Sequence, residues 1–245
     1  MPELANFTQF WVYLSASPLL GLTMTLCAYL LAQRLFVLAK GSPLANPVAI
    51  AIALVVLVLW LSGMSYQRYF AGAQFVHFLL GPATVALAVP LVRQLPRLRR
   101  AFLPLALALG AGCITAIVSA VAIALLLGAT PELAASLGPK SATSPIAMAV
   151  SERLGGIPAF TAALVVCTGV FGAVLGPWIF DLLRIASPAA RGFALGLASH
   201  GIGTARAFQA SPDMGAFAGL AMGLNGALTA LVAPVLVPAL MRWLG

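Results

Sequence analysis

Apolar runs near bilayer length recur from Ser17 to Leu244, and they limit this chain more than any motif does. In lipid, backbone polar groups must be satisfied within the segment, and apolar runs of about 20 residues do this as helices. Only 7% of the 245 residues are charged and 62% are hydrophobic, whereas soluble domains are about a quarter charged. The expected fold is an all-α polytopic membrane protein of roughly seven or eight embedded segments, some of them broken or re-entrant. It is expected as one integral-membrane domain over residues 1–245.

The net charge of +8 would ordinarily suggest nucleic acid. Here the cations stand at the ends of apolar runs, with no aromatic-interleaved basic strip, so they read as topology signals in a lipid bilayer. Arg34/Lys40, Arg93 to Arg100, Arg184/Arg191 and Arg242 are expected on the cytoplasmic side. Glu3, the Tyr66 loop and Glu132 are expected outside. Glu3 and the lack of a basic run before the first apolar segment argue against a cleaved secretion signal. Cys27, Cys113 and Cys167 stand singly without metal-ligand spacing, so no metal and no cofactor is expected.

Spans are predicted over Pro18–Leu38, Pro47–Leu61, Ala101–Leu127, Ile157–Phe180 and Met214–Leu240, and Arg191–Phe208 is a small-residue-rich segment that carries a polar stretch. Residues 63–72 and 129–138 read as loops. Phe75–Val92 is broken by Gly81-Pro82 and Pro90. Ser15-Ala16-Ser17-Pro18 echoes Ser141-Ala142-Thr143-Ser144-Pro145, and Gly81-Pro82-Ala83-Thr84 echoes Gly201-Ile202-Gly203-Thr204. The echoes suit either a duplication, with halves near 1–127 and 128–245, or chance in a chain rich in Ala, Ser and Gly.

Two polar stretches carry the chemistry. Lys140-Ser141-Ala142-Thr143-Ser144-Pro145 opens a short helix, Pro145 to Arg153, with Ser144 as cap. Whether residues 140–156 cross the membrane or re-enter is open. A helix start inside the membrane presents unpaired amides, and Lys140, Ser141, Thr143 and Ser144 add a cation and hydroxyls, a set suited to a small anion. The bland alternative is a surface helix with Lys140 among headgroups. The second stretch runs from Ser199 to Arg206. Its Arg206 fork suits a carboxylate, or else a structural pair with Glu152 or Asp213. Gly201 and Gly203 permit close backbone approach or plain helix packing. Ser199, His200, Thr204 and, after the first break, Thr84 complete the candidate substrate-binding set. His200 or Glu152 could carry a proton, although a lone histidine is more often a packing residue.

Glycines four apart at Gly215/Gly219/Gly223, Gly172/Gly176 and Gly192/Gly196 predict close helix contacts. Asn225 is expected to hydrogen-bond across to a neighbour. Phosphate loops, zinc sets and a Gly-x-Ser-x-Gly elbow are lacking. Ser199 and His200, adjacent on a helix, would point about 100° apart and form no nucleophile–base pair. No enzyme is expected.

Five blocks are shared with a known family: Gly81 to Leu91, Pro139 to Ala147, Gly155-Gly156-Ile157-Pro158, Gly172 to Pro177, and Ala198 to Ala207. With them the chain resembles the LrgB/CidB family over nearly its whole length. The resemblance implies a bacterial cytoplasmic (inner) membrane location and two alternative functions. One is antiholin-like modulation of murein hydrolase activity and autolysis, with a small LrgA/CidA-type membrane partner. The other is transport of small monocarboxylates of the glycolate, glycerate, pyruvate or lactate type, as in the plant plastid glycolate/glycerate translocator. A passive lesion needs no broken, basic, hydroxyl-rich segments, so the residues favour proton-coupled alternating access around a midplane anion site. Homo-oligomers are expected.

Overall fold

The computed structural model describes residues 18–79, 82, 92 and 95–244. The chain forms two compact units, residues 1–86 and 87–245. The echo residues Ser15 to Ser17, Gly81, Ala83 and Thr84 lie outside the described residues.

In the first unit α1 (Pro18–Leu38) packs against both α2 (Pro47–Ser62) and α3 (Tyr66–Phe78). Asn46 caps α2: its Oδ1 accepts from the amides of Val48 at 2.9 Å and Ala49 at 3.1 Å, and Pro47 begins the first turn. Both choices suit a helix start, since the cap satisfies orphan amides and proline lacks one. Gly63, at φ 64°, ends α2 in the left-handed region. The stretch read as a 63–72 loop is a helix from Tyr66 onward. Its polar residues hide a packing face. Tyr69 Oη lies 2.8 Å from Thr25 Oγ1, and the bare Cα of Gly21 admits the Tyr69 carbonyl.

The second unit begins with α4 (Leu95–Arg100) and the long α5 (Phe102–Leu126). It continues through α6 (Pro131–Leu137), α7 (Ser144–Arg153), α8 (Pro158–Leu182), α9 (Pro188–Ala210) and α10 (Pro212–Leu244). The expected loop 129–138 therefore contains a helix. Thr130 caps it, its Oγ1 accepting from Leu133 N at 3.4 Å, with Pro131 in its first turn. The cap of α7 is Thr143 rather than Ser144.

Contacts fix the helix directions. Cys113 meets Thr229, and Val121 and Val237 both touch Gly138, so α5 and α10 run parallel. The ladder His200–Gly169, Ser199–Gly172, Leu195–Gly176 and Arg191–Asp181 sets α8 antiparallel to the first arm of α9. That arm runs parallel to the start of α10, with Gly192 against the Met214 carbonyl and Gly196 against that of Ala218. The absence of Cβ atoms lets these backbones touch.

Among the described residues, α1, α5, α8 and α10 are long and apolar enough to span a membrane. Their outward faces carry exposed residues such as Leu103, Leu107, Ile114, Leu175 and Leu231, as lipid contact requires. The 16-residue α2 reaches about 24 Å, short of a bilayer core of about 30 Å. In the second unit, Cys113, Ile117, Val121, Ala134, Val150, Ala233 and Val237 form the main core. Pro234 and Pro238 lie inside α10, where each removes an intrahelical hydrogen bond.

Candidate functional site

The 188–210 segment is not a span. Ser199 (φ −124°, ψ 16°) and His200 (φ 41°, ψ −131°) leave helical geometry inside α9. After them the chain doubles back. Gly203 lies against the Leu195 carbonyl and Ser199, Thr204 faces Met222, and Gly215 takes the Phe208 ring. Thus α9 is a helical hairpin with its tip at Ser199–His200. Each arm is about ten residues, or about 15 Å, half of a bilayer core. The positive φ of His200 is strained for a side chain with a Cβ, a cost of about 1–3 kcal/mol that the surroundings must hold in place.

A second hairpin approaches from the other end of α10. Ser136 in α6 and Ser151 in α7 lie side by side. Thr161 Oγ1 is 3.1 Å from Ser136 O and 2.7 Å from Ser151 Oγ, and Ile157 N donates to Ser136 Oγ at 2.8 Å. Between them the loop Lys140 to Thr143 projects as a tip. From there α7 returns alongside α10, Ile146 touching Gly226 and Arg153 sharing a groove with Pro234. The chain therefore turns back at this tip, with α7 running toward the C-terminal end of α10.

The two tips meet on one side chain. Asn225 Nδ2 donates to Ser141 O at 3.2 Å and to Leu197 O at 3.0 Å. Asn225 is 1% exposed, and its Oδ1 has no partner among the described residues. Buried acceptors of that kind are uncommon in folded proteins.

Lys140 and His200 belong to the two tips that Asn225 joins, and Lys140 Nζ makes a long 3.5 Å contact with Ser141 Oγ. No carboxylate pairs with Lys140 among the described residues. His200 is buried, at 5% exposure, and its Nε2 lies 2.8 Å from the Val165 carbonyl. A carbonyl only accepts, so Nε2 carries the proton and a neutral ring presents Nδ1 as an acceptor. Ser199 Oγ is buried without a partner. The hydroxyls of Thr143 and Ser144 make no hydrogen bond to described residues.

Other expected site residues are placed differently. Thr204 Oγ1 donates back to His200 O at 2.8 Å. Gly203 is a packing contact within the hairpin, while Gly201 is exposed, with Met222 Sδ its nearest neighbour. Arg206 lies six residues past the tip, about 9 Å along the return arm, where Nη1 donates to Gln209 Oε1 at 3.3 Å. Glu152 is exposed at the far end of α7, about 12 Å from its start. Thr84 lies outside the described residues. Because α9 turns back, Arg242 falls at the opposite end of the unit from Arg184 and Arg191. This corrects the expectation that they share a side.

The sequence reading missed the Ser136–Ser151–Thr161 cluster, all three fully buried. Hydroxyl residues inside apolar runs were its one signal. Asn225 does cross to its neighbours as expected, but to two of them.

Fold and site define a multi-pass helical membrane protein in which two opposed helical hairpins meet on a central asparagine. The model of the LrgB-like family matches residues 25–239, and the chain belongs to that family. The Bacillus subtilis (strain 168) protein YwbG is 36% identical over 222 residues, covering 89% of this chain and 97% of that protein. The antiholin-like protein LrgB of Bacillus mycoides (strain KBAB4) is 32% identical, covering 91% and 96%. Its namesake from Bacillus cereus (strain B4264) is 31% identical over the same shares. No solved structure matches the chain.

Proposed function

We propose that this protein is an antiholin-like component of the bacterial cytoplasmic membrane. In this reading it modulates murein hydrolase activity and autolysis together with a small LrgA/CidA-type membrane partner. The observation that carries the reading is the match, over nearly their whole lengths, to relatives named antiholin-like protein LrgB. The test is the autolysis rate of a deletion strain, with and without the restored gene. An unchanged rate in both strains rejects the role.

A second reading, passage of small monocarboxylates, is favoured by one feature of the site. Lys140 has no carboxylate partner among the described residues and stands on one of the two hairpin tips that meet at Asn225. A partly desolvated cation without a counter-ion favours an anion. In this reading Lys140 takes the carboxylate of a glycolate-, glycerate-, pyruvate- or lactate-type acid. Ser141, Thr143, Ser144 and Ser199 supply hydroxyls, and the free Nδ1 of His200 takes the coupled proton. Arg206 serves the approach from the α9 end. Altered autolysis then follows from metabolite and proton flux, so the two readings are compatible. Uptake by proteoliposomes separates them. Selective uptake of one short carboxylate, lost in Lys140→Met, supports the anion site. Leakage of dyes regardless of size, unaffected by Lys140→Met, supports a membrane lesion instead.

A further inference from the structure

We infer that Asn225 is a positioning residue that couples the two hairpin tips, so that the Lys140 loop and the Ser199–His200 turn move as one unit. Three observations carry this. The tips enter from opposite ends of α10 and belong to segments far apart in sequence. Both N–H groups of one carboxamide are committed, one to each tip, at 3.2 Å and 3.0 Å. And the acceptor Oδ1 of the same carboxamide is buried with no donor among the described residues, so the side chain is held in place by its two N–H contacts alone.

The geometry explains why the amide is needed. Leu197 O is the carbonyl that a continuous helix would pair with the amide of Gly201. Ser199 and His200 leave helical geometry between those two residues, and Asn225 Nδ2 donates to this carbonyl at 3.0 Å. Its second N–H does the same for Ser141 O in the opposite tip, where α7 has not yet begun. Each tip thus has a backbone acceptor satisfied by the same side chain. Loosening either tip frees the carboxamide to rotate away from the other. The coupling does not depend on what the protein transports or regulates.

The experiment is hydrogen–deuterium exchange on the full-length purified protein, without added substrate, so its result is independent of the proposed function. Asn225→Leu preserves bulk and removes both donors. Exchange should rise by about tenfold in residues 139–147 and in residues 197–204 together, as expected for lost hydrogen bonds of ordinary net strength. Thr229→Val, one turn along α10 and also buried, should leave both segments unchanged. Acceleration of only one segment, or of neither, overturns the inference. So does equal acceleration by Thr229→Val, which would make the effect general loosening of α10. Should Asn225→Leu fail to fold, the unmodified protein decides. Coupled tips share one opening reaction and the same denaturant dependence of exchange, and different dependences reject coupling.

Discussion

The imidazole of His200 lies directly over the bare Cα of Gly169, where a Cβ would come within 2.7 Å of Cε1 and 2.9 Å of Nε2. The ring is pinned between that surface and the Val165 carbonyl, so it has no simple retreat. Gly169→Ala should destabilise the protein by about 1–3 kcal/mol through overpacking, lowering its thermal midpoint. Gly223→Ala is the matched control. Nothing lies within 4 Å of its added Cβ, and it should be neutral or stabilising by up to about 1 kcal/mol.

The proposed anion site predicts that millimolar pyruvate, lactate or glycolate raises the thermal midpoint of the purified protein and that Lys140→Met abolishes the rise. A ligand that binds the folded state raises its apparent stability by mass action, and the mutant lacks the cation that the proposed site relies on. The unliganded midpoint should hold or rise, because a partly buried cation without a counter-ion is costly. A carboxylate-induced shift that survives in Lys140→Met removes that lysine from the site.

Thr161→Val should cost about 1–3 kcal/mol, measured by thermal unfolding. The Thr161 hydroxyl lies within 3.2 Å of Ser136 O, Ser151 Oγ and Ile157 O. Removing it leaves buried polar atoms short of a partner. A change below about 0.5 kcal/mol would show that this hydroxyl cluster does not hold the base of the α6–α7 hairpin.

Asp181→Asn and Arg191→Ala should differ. Asp181 is exposed, and its 2.6 Å pair with Arg191 is open to screening, so its loss should cost less than about 1 kcal/mol. Arg191 also donates from Nε to Ile185 O at 2.5 Å and lies 5.8 Å from the centre of the Phe180 ring. Arg191→Ala should therefore cost the more of the two in thermal midpoint. Equal costs would mean that the carboxylate is the whole interaction.

The membrane class and the long helices were legible in the sequence because bilayer length and apolar content fix them directly. The two polar stretches were legible because lipid makes polar groups conspicuous. What stayed hidden was direction. Residues 188–210 have the length of a span, and only the backbone at Ser199–His200 shows that the chain turns back. No propensity rule forces a histidine into positive φ; its tertiary surroundings do. The helix at 131–137 was hidden by its short length. The Tyr66–Phe78 helix was hidden by a polar composition that masks its contact with α1. The role of Asn225 needs both tips in view, since its partners lie 84 and 28 residues away.

The two prolines of α10 give that rod mechanically unlike halves. Below Asn225 the α9 hairpin is seated against an unbroken, glycine-smoothed stretch, flush at Gly192 and Gly196. Above it, the α6–α7 hairpin rests where Pro234 and Pro238 have removed ladder bonds. Bending of α10 is cheapest in the second half, toward the end that bears Glu132 and Arg153. The half of α10 that carries Pro234 and Pro238 is the softer one, and the half beneath Gly192 and Gly196 is the stiffer.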